Sequence, residues 1–314
     1  MPTYPPILGS LSADEFLKDY WQKKPLLIRN AVPGFISPIT ADELAGLSLE
    51  EDIESRIVIE RGDIGPWQLQ SGPFEESIFQ QLPEDHWTLL VQAVDLWVPE
   101  VKALLNKFTF LPPWRLDDIM VSYAPKGGSV GPHFDYYDVF LLQGHGQRRW
   151  QVGNLCDAQS PRLDNTPLRI LSEFSKQDEW VLNPGDMLYL PPRLAHWGIA
   201  ENDCLTYSIG FRAPSMTDML GDLTTELMAQ EHTSYYQDPP LTPDMATTAI
   251  HPAFIQQVKS MLNELLDDES LLSDWFARYM TSPKYPDLLD EVDEDREASV
   301  NGECYFNGEI QPRN

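Results

Sequence analysis

The order of apolar and polar positions differs between the parts of this chain. Near the N-terminus, Ser12 and Thr40 are each followed three positions later by a glutamate, Glu15 and Glu43, and by apolar residues at helical spacing. This pattern is typical of a capping box, in which the hydroxyl and the carboxylate satisfy free N–H groups of the first helical turn. Residues 1–110 are therefore predicted to be a mixed α/β region.

Short apolar runs separated by turn residues fill residues 111–214. The runs are 115–123, 138–152, 187–190 and 204–211. Many short strands at such spacing predict a sandwich, jelly roll or barrel. The run 138–152 is predicted to be a hairpin that turns at Gly144-His145-Gly146.

Residues 215–282 return to helical spacing. Helices are predicted at 215–230, 252–266 and 270–280. Their apolar faces either form a dimer interface or pack on their own chain. The remaining residues, 283–314, are predicted to be a linker followed by a short hairpin that has little to pair against.

The chain is strongly acidic. It has 314 residues, 22 Lys and Arg and 49 Asp and Glu, so the formal net charge is −27. This excess argues against direct nucleic-acid binding, which needs a cationic face. It favours a basic protein partner, although the charge could also serve only solubility.

Other features of the composition point to a cytoplasmic protein. The three cysteines are far apart, which disfavours a disulfide framework and a structural zinc site and predicts a reducing compartment. No apolar run approaches the roughly 20 residues that span a membrane, and no secretory signal is visible.

A possible metal site lies in the middle of the chain. His133 and Asp135 are two positions apart, so on a strand both would point to one face while Phe134 points to the other. His196 follows the run 187–190. Two imidazoles and one carboxylate suit non-haem Fe(II), because they leave ligand positions open. The alternative is that these are structural or solvated histidines.

Arg148 adds a cation near the same segment. It lies 13 residues after Asp135, on the predicted return strand, where a guanidinium could bind the distal carboxylate of a metal-chelating dicarboxylate. By alternation, only one of Arg148 and Arg149 points inward. The alternative for either arginine is a solvated surface position.

The segments GPHFDYYDVFLLQGHGQRRWQVG, NPGDMLYLPPRLAHWG and YSIGFRAP resemble the JmjC family of 2-oxoglutarate oxygenases, and among them the bacterial ribosomal oxygenases. The resemblance implies an α+β protein: a double-stranded β-helix, or cupin-like jelly roll, at 111–214, supported by α/β elements at 1–110. It also implies a helical dimerisation region at 215–282. Residues 283–314 would hold a linker and a remnant of the family's winged-helix-like domain.

The resemblance also implies the chemistry of the site. His133, Asp135 and His196 would bind Fe(II), and Arg148 would bind the cosubstrate 2-oxoglutarate, with Ser122 and, more weakly, Ser208 as further contacts. Dioxygen would be the oxidant. The substrate would be an arginine of the basic ribosomal protein L16, hydroxylated by a cytoplasmic homodimer.

A pocket for an arginine side chain should combine aromatic faces with carboxylates. Tyr136, Tyr137, Asp117, Asp118 and Asp138 lie on or beside the same predicted strands, and we favour Tyr137 and Asp118. The alternative is that the tyrosines pack in the core and the aspartates are solvated.

Two other functions remain open. One is a JmjC or cupin oxygenase with another protein or small-molecule substrate, although many cupins use an HxH set with later Glu and His. The other is a catalytically silent acidic adaptor for ribosomal proteins.

Overall fold

The computed structural model describes residues 6–60, 67–229, 234–288 and 294–312. The chain divides into two compact units. The first comprises Met1–Ala213 and Asp287–Asp293, and the second comprises Pro214–Pro286 and Glu294–Asn314.

The helices of the described residues are short in the first unit and longer in the second. The α-helices are α1 (Ala13–Asp19), α2 (Ala41–Leu47), α3 (Pro99–Lys102), α4 (Met216–Ala229), α5 (Pro252–Leu266) and α6 (Glu269–Thr281). Short 3-10 helices lie at Pro6–Leu8, Glu76–Gln80, Val94–Leu96, Leu105–Lys107, Pro113–Arg115, Pro243–Met245 and Pro286–Leu288. None of these helices has the length and apolarity to cross a bilayer.

The strands of the described residues form three antiparallel sheets. In the first unit they are β1 (Leu26–Ile28), β2 (Ser55–Ile59), β3 (Gln68–Ser71), β4 (Trp87–Val91), β5 (Leu116–Ala124), β6 (Val139–His145), β7 (Arg148–Leu155), β8 (Asp178–Leu182), β9 (Met187–Leu190), β10 (Leu194–Ala200) and β11 (Cys204–Phe211). In the second unit they are β12 (Glu297–Val300), β13 (Glu303–Phe306) and β14 (Glu309–Ile310).

Both predicted capping boxes are confirmed. The Ser12 hydroxyl accepts from the Glu15 N–H at 3.2 Å, and the Glu15 carboxylate accepts from the Ser12 N–H at 2.9 Å. Thr40 and Glu43 form the same pair of bonds. The first box starts α1 so that Phe16 is fully buried against aromatic side chains of the large sheet.

The first unit is a jelly-roll sandwich, as predicted. Its large sheet has the order β1-β9-β6-β11-β5-β4-β2-β3, and its small sheet has the order β10-β7-β8. Strands from residues 1–110 continue the large sheet beyond β5, so the two predicted parts share one sheet.

The predicted hairpin at 138–152 is wrong. β6 pairs with β9 and β11, whereas β7 pairs with β10 and β8, so the chain crosses from the large sheet to the small one. The crossing uses Gly146 at φ +61°, where a Cβ would lie 1.9 Å from the Asp203 carbonyl oxygen. Two apolar strands around a glycine turn have the same sequence pattern whether they pair or cross to a facing sheet.

Alternation divides the strands between two apolar clusters. Phe140 and Leu142 of β6 pack in the larger cluster, with the N-terminal elements. Val139 and Leu141 pack in the smaller cluster, which contains side chains of both sheets. The small cluster lies beside polar side chains, which form the site described below.

In the second unit, the three predicted helices are confirmed as α4, α5 and α6. The C-terminal hairpin differs from the prediction because it has a partner: β12, inside the predicted linker, pairs with β13. Tyr305 of β13 is buried and donates its hydroxyl to Asp274 of α6 at 2.8 Å.

Candidate metal centre

The two histidines of the predicted metal site face each other across an antiparallel backbone bridge. The His133 N–H donates to the His196 carbonyl at 3.0 Å, and the His196 N–H donates to the His133 carbonyl at 2.8 Å. His133 belongs to this isolated bridge and to no regular strand, whereas the sequence predicted a strand at this position. The bridge to β10 holds the residue in place. Gly131 begins this segment at φ +79° and lies close to Ile170.

The three side chains converge. The Asp135 carboxylate oxygen Oδ2 lies 3.6 Å from His196 Nε2 and 3.9 Å from His133 Nε2. All candidate ligand atoms lie within 4.8 Å of one another. Two ligands that are each about 2.1 Å from a common ion can lie up to about 4 Å apart. These groups therefore fit one metal ion.

Backbone carbonyls orient both imidazoles. His133 Nδ1 lies 2.9 Å from the Gly131 oxygen, and His196 Nδ1 lies 2.9 Å from the Leu194 oxygen. When Nδ1 donates its proton to a carbonyl, Nε2 keeps a lone pair for a metal. Burial and the neighbouring His133 lower the pKa of His196 to about 4, so its ring is neutral at pH 7.

Phe134 points away from the ligands, as predicted. Its ring packs with Leu171 and Ala195 in a small apolar cluster. The Leu171 N–H donates to the Pro132 carbonyl at 2.7 Å, so the connection between β7 and β8 supports the segment that carries the ligands.

Arg148 is the inward-pointing member of the arginine pair. It is 5% exposed, and its Nη1 lies 3.4 Å from the Ser122 hydroxyl. Its Nε and Nη2 have no hydrogen-bond partner in the described part of the chain. Arg149 points outward, to Glu201 at 2.5 Å and Glu179 at 3.4 Å. A buried guanidinium with unused donors is suited to an anionic ligand.

The two candidate serines lie on neighbouring strands. Ser122 of β5 is 3% exposed and contacts Arg148. Ser208 lies on β11, the neighbour of β5 in the same sheet. It is opposite Met120, two residues before Ser122, and on its other side it is opposite Leu141 of β6.

Tyr137 and Asp118 lie near the metal ligands. Burial of the Tyr137 hydroxyl, together with the charges of Asp135 and Asp118, raises the pKa of Tyr137 well above its usual value, although 42% of the residue's surface is exposed. Asp118 is buried and accepts from Gln92 Nε2 at 2.6 Å. Tyr136 is 46% exposed, with its ring edge-on to Phe134.

The other two aspartates have different surroundings. Asp117 pairs with Arg212 at 3.4 Å. Asp138 is fully buried and accepts from the Tyr189 hydroxyl at 2.6 Å and from Gln22 Nε2 at 3.0 Å. The structure corrects the prediction for Asp138, because its carboxylate holds core side chains together and is not exposed to a substrate.

Sequence reasoning missed Trp150. The residue is 5% exposed, and its ring centroid lies 6.0 Å from that of His196. The signal was present, because Trp150 is two positions after Arg148 and therefore shares its face of β7.

Comparisons with known proteins agree with this geometry. A family model described as "JmjC domain" matches residues 103–219. The chain is 36% identical over 277 residues to the Escherichia coli protein named "Ribosomal protein uL16 3-hydroxylase", covering 88% of this chain and 73% of the relative. It is 47% identical over 223 residues to a "Probable ribosomal oxygenase" of Haemophilus influenzae, covering 70% of this chain and only about half, 54%, of that relative.

A solved structure gives the same match in three dimensions. The ribosomal oxygenase YcfD of Escherichia coli, in complex with cobalt and 2-oxoglutarate, aligns with a TM-score of 0.84 and 33% identity. The alignment covers 97% of this chain and 86% of that one.

Proposed function

The chain belongs to the ribosomal oxygenase family of JmjC-domain proteins, and we propose that it is an Fe(II)- and 2-oxoglutarate-dependent hydroxylase of a ribosomal protein. One observation carries this proposal. His133, Asp135 and His196 converge within ligand distance, and the buried Arg148 has two nitrogen donors without a partner in the described part of the chain. A metal and a dicarboxylate satisfy these two features together.

The residues of the chain hold and orient the reactants. His133, Asp135 and His196 would hold Fe(II) from one side. Arg148 and Ser122 would hold the distal carboxylate of 2-oxoglutarate. When bound, the iron, 2-oxoglutarate and dioxygen supply the oxidising power that replaces a substrate hydrogen by hydroxyl.

The substrate we propose is an arginine side chain of ribosomal protein L16. Tyr136 and Tyr137 expose aromatic surface beside Asp135, and Asp118 adds a carboxylate near Tyr137. A guanidinium can stack on such rings while it donates to a carboxylate. The net charge of −27 also favours a basic partner.

The proposed setting is a cytoplasmic homodimer. An apolar stripe on α5 supports the dimer, because its members recur at helical spacing and are 43–57% exposed. They are Ile255, Val258, Leu262 and Leu266.

The test is a reaction of purified protein with Fe(II), 2-oxoglutarate and an L16 peptide. We expect a mass gain of one oxygen atom on arginine, and no product from His133→Ala. Turnover of 2-oxoglutarate without a modified peptide would favour an oxygenase with another substrate. Absence of iron-dependent turnover in the presence of intact ribosomes would favour an adaptor.

A further inference from the structure

The indole N–H of Trp150 is a buried donor that the residues assigned above do not use. Trp150 is 5% exposed, and its Nε1 has no hydrogen-bond partner in the described ranges. Buried polar groups in native proteins nearly always have a partner, so an exception calls for a ligand or an ordered water.

Other indoles of the chain behave differently. Trp87 Nε1 donates to the Pro83 carbonyl at 2.9 Å, Trp197 to the Ser129 hydroxyl at 2.8 Å, and Trp275 to Asp222 at 2.7 Å. Trp150 therefore differs from three tryptophans of the same protein, which serve as internal controls.

The indole ring of Trp150 packs against β10 of the small sheet. A Cβ at Gly198 of β10 would lie 2.7 Å from Cη2 and Cζ3 and 3.0 Å from Cε3 of the indole, so this strand packs on the face of the six-membered ring. Glycine at 198 makes this close approach possible.

Trp150 lies close both to the candidate ligand His196 and to Arg148. Its ring is 6.0 Å from the His196 ring, and the Arg148 Cζ is 5.7 Å from the Trp150 ring centroid. Arg148 and Trp150 are at i and i+2 on β7, so their side chains share a face. Three nitrogen donors that have no partner among the described residues, Nε and Nη2 of Arg148 and Nε1 of Trp150, therefore belong to one buried face of a strand.

We propose that Trp150 Nε1 donates a hydrogen bond to the distal carboxylate of 2-oxoglutarate beside Arg148, and so selects a dicarboxylic 2-oxoacid. This inference rests on the proposed function. A carboxylate accepts several hydrogen bonds, and Arg148 and Ser122 leave acceptor positions free. Phenylalanine at 150 would keep most of the apolar surface and remove the donor.

The binding test uses zinc-loaded protein, which avoids turnover, and calorimetry with two acids. One is 2-oxoglutarate. The other is 2-oxopentanoate, which has the same chain length and a methyl group in place of the distal carboxylate. We expect Trp150→Phe to weaken 2-oxoglutarate about tenfold to a hundredfold and to leave 2-oxopentanoate nearly unchanged. Trp87→Phe, whose indole already has a partner, should change neither.

A second measurement does not depend on the variant's stability in the binding assay. In ¹⁵N-tryptophan-labelled wild type, the Trp150 indole signal is identified by its loss in Trp150→Phe, or by elimination with Trp→Phe variants at the other tryptophans if that variant does not fold. Addition of 2-oxoglutarate should shift this signal strongly downfield, and 2-oxopentanoate should shift it much less.

The outcomes separate the two proposals. If wild type binds 2-oxoglutarate but the Trp150 signal does not respond, or the variant weakens both acids equally, the donor role is wrong and the proposed function stands. A donor bonded only to an ordered water would give that result. If wild type binds no 2-oxoglutarate, both proposals fail.

Discussion

Arg148 brings a positive charge into the interior of the first unit, and not all of its donors have partners among the residues that the structure describes. Only its Nη1 has a partner, the Ser122 hydroxyl, in the described part of the chain. Burial of a charge without full compensation is unfavourable. A bound dicarboxylate would supply acceptors for the remaining donors.

We predict that Arg148→Met stabilises the metal-free protein while it abolishes detectable 2-oxoglutarate binding. Removal of the incompletely paired charge should raise the free energy of unfolding by about 1 kcal/mol or more, and the melting temperature by about 2–4 °C. Calorimetric melting and ligand titration measure both effects. Arg149→Met is the matched control and should leave binding unchanged, since Arg149 pairs outward with Glu201 and Glu179. A less stable Arg148→Met would contradict the account.

Asp186 is a second residue whose charge matters for the fold, because its carboxylate accepts several hydrogen bonds. Burial pushes its pKa up, but hydrogen bonds from the N–H groups of Asn183 and Asn30 and from Arg29 outweigh burial and hold the pKa below its usual value. The distances are 3.0, 2.8 and 2.6 Å. These bonds fix the turn before β9 and tie it to the segment after β1.

We predict that Asp186→Asn lowers the free energy of unfolding by about 2 kcal/mol at pH 7, because it removes charge-assisted hydrogen bonds. The pKa of Asp186 is lower in the folded protein than in the unfolded chain. Its stabilising effect is therefore complete above the ordinary pKa of aspartate, 3.8, and is lost as the pH falls through the folded value. Denaturant unfolding of both proteins between pH 7 and 3 should show the difference shrinking. A difference in the free energy of unfolding that does not change with pH would mean that the Asp186 charge does not stabilise the fold.

At the scale of the elements, local sequence signals predicted the helix starts correctly, whereas the pairing of the strands β6 and β7 was predicted wrongly. The capping boxes at Ser12 and Thr40 depend on residues three positions apart, and both formed. The crossing at Gly146 depends on which strands face β6 and β7, which involves residues far along the chain.

For the site, too, the sequence predicted what depends on local spacing and missed what depends on long-range contacts. The spacing of His133 and Asp135 indicated a shared direction, which the structure retains without a regular strand. Asp138 was assigned to the substrate pocket because it lies on or beside the same predicted strands as the other candidates. Its hydrogen bonds to Tyr189 and Gln22 join positions 51 and 116 residues apart, which no local pattern reveals.

The helix α5 allows a direct test of the proposed homodimer. Its exposed apolar stripe includes Val258 and Leu262. We predict that Leu262→Glu gives a monomer in light scattering at micromolar concentration, because a carboxylate cannot be buried in an apolar interface. Ser260→Glu places the same charge about 200° around the helix and should remain dimeric. A wild type with monomeric mass, or equal masses for the two variants, would contradict the proposal.

The charge of the whole molecule is distributed widely. Residues 267–297 hold 11 acids and 3 bases, a net charge of −8, so −19 of the −27 lies elsewhere. A field of this kind steers basic partners from a distance, and it is screened by salt over about 8 Å at physiological ionic strength. Contacts inside a buried site are screened far less.

We therefore predict that added salt slows the encounter with the protein substrate but leaves the chemical step of the proposed reaction nearly unchanged. Between about 50 and 500 mM NaCl, kcat/KM for a basic L16 substrate should fall about tenfold or more, because steering is lost, while kcat changes little. The KM for 2-oxoglutarate should respond weakly, since the Arg148 guanidinium that would bind it is 5% exposed. Steady-state kinetics at several salt concentrations measure all three quantities. A kcat/KM for the ribosomal substrate that is independent of salt would mean that the acid excess serves solubility alone, and that recognition depends on contacts at the site.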